Sequence, residues 1–148
     1  MPEVSLELDI NAVADRVWSA VVDIERYPDT MANVRWVRIL DEAGPTRRRS
    51  AWSIVLKGSI LEWQETEDID HERRVMSFKQ FSGDLETFDG RWTVEELEPA
   101  VTRVSFEVAF EIGIPLLADM LNPVAKRALR DNSTEMLLGV EREAIGAR

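Results

Sequence analysis

Glu65 lies two residues past Trp63 and four past Leu61 in the stretch LEWQETED. On an extended chain this spacing puts all three on one face, because alternate side chains point to opposite sides. The other face, Glu62, Gln64, Thr66 and Asp68, is polar throughout and is assigned to solvent. Glu65 thus shares the buried side with a tryptophan. A carboxylate there has three fates: the mouth of a cavity, a pairing with a cation such as Lys79, or a strand end in water. In a partly apolar pocket its pKa rises towards neutrality, which suits abstraction of a proton between two carbonyls, and a lysine beside it would polarise a carbonyl. Glu65 as base and Lys79 as electrophile are therefore the candidate catalytic residues. Glu67, one step nearer the next turn, is assigned to solvent.

Other chemistries lack their residues. The single histidine, His71, sits in the turn Asp70-His71-Glu72 and is expected to face water, so histidine triads and histidine-rich zinc sites are disfavoured. There is no cysteine for a thiolate, a disulfide or a metal. The sequence has no G-x-S-x-G elbow, phosphate-cradling G-x-x-x-x-G-K, G-x-G-x-x-G, or D-x-D-x-D-G calcium loop. The expectation is an activity without cofactor or metal, resting on Glu, Asp, Lys, Arg, Tyr, Asn and the shape of a cavity.

The elements that position these residues are mostly strands. Val4, Leu6, Leu8 and Ile10 alternate with polar residues, the period of a half-buried strand. A helix follows, capped by Asn11 or Asp9, with Val13, Val17, Trp18, Val21 and Val22 on one face. It is expected to stop near Tyr27, since Pro28 disfavours helical geometry at the preceding residue. Turn residues then divide the chain into strands at 34–41, 47–57, 59–69, 73–81, 86–96 and 101–112. Short turns between consecutive strands imply an antiparallel meander. The segment 115–145 reads as a long amphipathic helix, with Pro115 in its first turn and Pro123 kinking or dividing it.

Alternation also marks the inward faces. Trp52, Ile54 and Leu56 share one, and Phe88, Gly90, Trp92 and Val94 share another. Between them, Val75, Ser77, Lys79 and Phe81 oppose Met76, Phe78 and Gln80, and either set can be the inner one. Lys79 joins Trp63 and Glu65 only if the first set is inner. Five tryptophans in 148 residues is a heavy aromatic load, each burying ~150–250 Å². They fill a core or wall a pocket, and the carboxylate among them raises the second option.

Length, charge and hydropathy bound the rest. The 148 residues fit one domain, 1–148, without repeats or linkers. A net charge of −10 and a pI near 4.6 argue against nucleic acid or anionic membrane as a partner. The one basic run, Arg47-Arg48-Arg49, reads as a solvated face. The opening MPEVSLELDI lacks the features of a signal peptide, and no segment approaches ~18 uninterrupted apolar residues. A cytoplasmic protein without integral membrane association, monomeric or homodimeric, is expected.

The strings VWSAVVDIERYPDTMANV at 17–34, LEW at 61–63, GRWTVEEL at 90–97 followed by TRVSFEVAFEIG, and NPVAKRALRDNSTEML near the end occur in this order over nearly the whole chain. Together they resemble the helix-grip superfamily of the birch-pollen allergen, START domains and bacterial polyketide cyclase/aromatases. The resemblance implies an α+β fold: a strongly curved seven-stranded antiparallel sheet wrapped around a long C-terminal helix, with an internal hydrophobic cavity for a polyketide, quinone, sterol or lipid. Its cyclase branch performs intramolecular aldol condensation and dehydration. Its coenzyme Q-binding branch implies instead a carrier without chemistry, and relatives described as ribosome-associated toxins imply an interaction module.

By this resemblance Trp63 and Trp92 match pocket tryptophans, Tyr27 matches an aromatic position beside the entrance proline, and Lys79 falls near a basic pocket position. The implied ligand-binding set is Tyr27, Val34, Trp36, Trp52, Trp63, Phe81, Phe88, Trp92, Leu121 and Asn132. Glu65 and Glu67 depart from the cyclase branch, which tends to carry a small hydroxyl residue and an arginine there, and Val34 stands where tyrosine can occur.

Overall fold

The computed structural model describes residues 3–56, 58–111 and 122–146, with side chains of the last segment from residue 126. Strand β1 (Glu3–Ile10) leads into helix α1 (Ala14–Val22), a 3₁₀ turn (Ile24–Arg26) and the short helix α2 (Tyr27–Thr30). Six strands follow: β2 (Val34–Glu42), β3 (Arg47–Leu56), β4 (Ser59–Asp70), β5 (Val75–Gly83), β6 (Thr87–Glu98) and β7 (Val101–Glu111). Helix α3 spans Asn122–Gly146.

The strands form one antiparallel sheet in the order β1-β7-β6-β5-β4-β3-β2. The meander runs from β2 to β7, and β1 returns to pair with β7. This is the expected curled sheet with a long C-terminal helix. Its inner face and Ala128, Leu129, Leu137, Val140 and Ala144 of α3 make one continuous core. Gly90 is needed inside that core: a Cβ there would overlap the carbonyl oxygen of Glu107 and meet the Phe78 ring at 2.6 Å.

Some local expectations change. Tyr27 is helical, with φ −52° and ψ −41°. Pro28 opens α2 rather than closing α1, because a first-turn proline has no intrahelical N–H to lose. Helix α3 is described from Asn122; the expected helical residues 115–121, against which a kink or division at Pro123 would be judged, lie outside the described residues. Strand β5 begins at Val75 and not at 73, because the Asp70 carboxylate accepts the N–H groups of Glu72 and Arg73 and Arg74 takes φ 56°.

Candidate functional site

Strands β3 and β4 build the polar part of the interior through their register. Trp52 lies opposite Trp63, Ser50 opposite Glu65, and Arg48 opposite Glu67. Every one of these side chains is buried. The two indoles stack at 5.7 Å and 6°. Phe88 tilts against Trp63 at 5.1 Å, and Trp92 against Phe106 at 4.7 Å. These rings, with Ile54, Met76 and Phe78 from the sheet and Leu129, Asn132, Ser133 and Met136 from α3, enclose a cavity of about 30 Å³ into which Glu65 reaches. It is a slot, with space for only a few water-sized groups. A second void of about 10 Å³ shares Ile54, Trp63, Phe88 and Leu129 with it.

The polar groups form one chain of contacts. The Trp63 indole N–H donates to Glu65 Oε1 at 2.8 Å. The Glu65 carboxyl is hydrogen-bonded to that of Glu67. Glu67 Oε1 accepts from Arg48 Nε at 2.5 Å and its Oε2 from the Ser50 hydroxyl at 2.9 Å. Ser50 in turn accepts the Trp52 indole N–H at 2.8 Å. Arg48 spends another N–H on the Val22 carbonyl at 2.8 Å and contacts Met76 Sδ at 3.4 Å.

Burial raises the Glu65 pKa well above the ordinary 4.5, and the hydrogen bond with Glu67 and its negative charge raise it further. The Trp63 N–H and the Arg48 charge pull the other way and do not prevail. Glu65 thus holds its proton in the range where an exposed glutamate would have lost it. The result is a carboxyl of raised pKa in an apolar slot, beside Glu67, which is paired with Arg48. Such a pair can give one proton and take one.

The expected residues divide clearly. Trp52, Trp63, Glu65, Phe88, Trp92 and Asn132 line the cavity. Tyr27 is buried behind it, edge-on to Trp52 at 5.5 Å and Trp92 at 6.2 Å, with its hydroxyl donating to the Val21 carbonyl at 2.6 Å. Burial, then the Glu67 charge, raises the Tyr27 pKa well above 10.0. Val34 is buried on β2 but is not among the lining residues. Leu121 lies outside the described residues.

Lys79, Phe81 and Trp36 are placed elsewhere. On β5 the inner set is Met76 and Phe78, which puts Lys79 and Phe81 on the outside, where Arg49 lies over the Phe81 ring at 5.6 Å. Lys79 therefore has no contact with Glu65. Trp36 is half-buried outside the cavity under the Arg38 guanidinium at 4.5 Å, because a register shift between Val34 and Trp36 turns Val37 inward instead.

Glu67 and Arg48 correct the sequence reading in the other direction. Glu67, assigned to solvent for its place near the turn, is fully buried; Arg48, in a run that reads as a solvated face, is 7% exposed. Both follow from alternation carried further, since Glu67 keeps the parity of Trp63 and Arg48 that of Trp52. His71 is exposed as expected, but it is pinned: Trp18 donates to Nδ1 at 3.1 Å, and Nε2 faces the Pro45 carbonyl at 2.9 Å. Among the described residues no group of histidine and carboxylate side chains converges as a metal site would. No helix among them is long and apolar enough to cross a membrane.

Known proteins bear on this geometry. A family model described as polyketide cyclase / dehydrase and lipid transport matches residues 10–137. The crystal structure of a protein from Thermus thermophilus is 28% identical, covers 99% of both chains and superposes with a TM-score of 0.91. An aromatase/cyclase from Streptomyces sp. R1128 is 24% identical over 97% of this chain and 93% of its own, with a TM-score of 0.87. A START superfamily protein from Mycobacterium smegmatis is 17% identical over 99% of each chain, with a TM-score of 0.85. At these identities the last two speak for the fold alone. No curated protein matches the sequence.

Proposed function

We propose, for a chain that belongs to the polyketide cyclase / dehydrase and lipid transport family, that the cavity binds an aromatic or polyketide-like molecule and promotes intramolecular aldol cyclisation and dehydration. The observation that carries this reading is Glu65, a buried carboxyl whose pKa burial raises, set beside the stacked tryptophans at the cavity wall. Its role differs from the base expected from sequence. As the carbon–carbon bond forms, the attacked carbonyl oxygen takes the proton of Glu65 and becomes a hydroxyl. The proton released from the attacking carbon refills the carboxyl pair. In the dehydration that hydroxyl leaves as water with a proton from the pair, and the adjacent carbon returns one.

The aromatic walls supply the rest by folding the chain. Well-oriented intramolecular reactions gain ~7–11 kcal/mol from position alone, and proton transfer by a placed side chain adds ~10²–10⁴-fold. The test is Glu65→Gln, which keeps the shape and gives up the proton. Cyclised product should fall by about that factor while ligand binding persists; unchanged turnover and product pattern would overturn the assignment.

One observation favours a carrier of a quinone or lipid instead. With Lys79 outside, Glu65 is the only titratable group among the described cavity-lining residues, which leaves the slot chemically sparse. A carrier should be stabilised by an apolar ligand through mass action and show no product with any β-keto chain. Ligand-free native mass spectra together with an unmoved melting temperature would remove this reading.

A further inference from the structure

Two buried carboxyls share one guanidinium beside the cavity. Glu65, which lines the slot, is hydrogen-bonded to Glu67, and neither reaches bulk solvent. An ionised carboxylate can only accept, so a bond between two carboxyls exists only while the pair carries a proton. Arg48 is committed to Glu67 and the Val22 carbonyl, and the second oxygen of Glu67 takes the Ser50 hydroxyl. Removing the proton would break the link between the carboxyls and set two buried negative charges against one cation.

The surroundings offer a charged Glu65 little else. Among the described residues, the titratable and charged groups that act on it are Glu67 on β4, Arg48 on β3 and Tyr27 on α2. Tyr27 stays an uncharged phenol up to alkaline pH. The described lining residues that β5, β6, β7 and α3 contribute carry no titratable group. Beyond the Trp63 N–H, an ionised Glu65 would depend on water entering the slot. That is the water an apolar ligand displaces, and a buried charge left without it is costly.

We infer that ligand and proton are coupled at this site: the cavity takes up an apolar ligand together with one proton on the Glu65–Glu67 pair and gives the ligand up when the pair is deprotonated. This rests on the cavity-binding reading above and adds its regulation. Such coupling is reciprocal. A bound substrate therefore holds in place the proton that the proposed reaction spends, and a rise in pH empties the cavity.

Toluene, which has no titratable group of its own, tests the coupling on the intact protein. Its Kd is followed by ligand-observed NMR between about pH 5 and about pH 9.5, above the ordinary carboxylate range. The Kd should be constant at the acid end and then rise, by up to about tenfold per pH unit, once the pair in the free protein loses its proton. Calorimetry on that rising limb, in two buffers of different ionisation enthalpy, should show close to one proton taken up per toluene bound. In Glu65→Gln toluene should bind with a Kd that does not change with pH. A flat Kd over the whole range in the wild-type protein, a binding heat independent of buffer, or the same pH dependence in Glu65→Gln overturns the coupling and leaves the cavity reading standing. If toluene binds at no pH, the cavity reading itself falls and the coupling with it. The calorimetry needs only the wild-type protein, so it decides the matter even should the glutamine variant fail to fold.

Discussion

The carboxyl of Glu65 is hydrogen-bonded to the carboxyl of Glu67, its neighbour on the inner face of β4. Two like groups so close and so buried cannot both be charged at low cost, so one keeps its proton. Arg48 settles which, by pairing with Glu67.

Arg48 is therefore the support on which the site's charge state depends. Arg48→Met leaves the Glu67 carboxylate buried without a counter-ion and should cost about 3–5 kcal/mol in urea denaturation. Pairing that change with Glu67→Leu should recover most of the loss, because the stranded charge is gone. A single variant costing under about 1 kcal/mol would show that the pair is not as dry as its geometry implies.

Glu65 predicts a pH slope. Its pKa is raised in the fold above the ordinary 4.5, so at higher pH the folded protein binds more protons than the unfolded chain. The contribution is complete below about pH 4.5 and is lost as pH rises through the folded-state value. Glu65→Gln cannot titrate, so its urea midpoint should vary less with pH over that interval. Parallel curves for the two proteins would refute the shift.

Tyr27 behaves in the same sense at alkaline pH. Its phenol pKa lies well above 10.0 in the fold, so stability held below about pH 10 should fall beyond it, and Tyr27→Phe should abolish that fall. At neutral pH the same variant should cost about 1–3 kcal/mol, because the buried Val21 carbonyl loses its donor. Thermal melts at two pH values separate the effects.

The exposed face of β5 supplies a control. Lys79→Ala should change stability by less than about 0.5 kcal/mol and leave the affinity for an apolar ligand where it was, whereas Trp92→Ala, at the cavity wall, should cost about 3–5 kcal/mol. A marked loss of ligand binding in Lys79→Ala would return that lysine to the site.

The order of elements and the inner sets of β3, β4 and β6 were legible in the sequence, because alternation within a strand is a local property and one face of each was plainly apolar. Trp52, Trp63, Phe88 and Trp92 could be named as a wall on that ground alone. Strand β5 could not be oriented so, since Val75 and Phe81 on one parity are as apolar as Met76 and Phe78 on the other; packing against Phe88 and Phe106 chose the second and sent Lys79 outside. The buried pair was missed because a carboxylate and a guanidinium look solvated one at a time. Arg48 and Glu67 are 19 residues apart, and only the β3–β4 register sets them opposite each other. Asn33 and Asn132 are 99 apart and meet only where α3 closes over the sheet. Sequence determines a residue's parity and chemistry; which side faces inward, and what each polar group finds there, depends on strand register and helix docking, which are long-range.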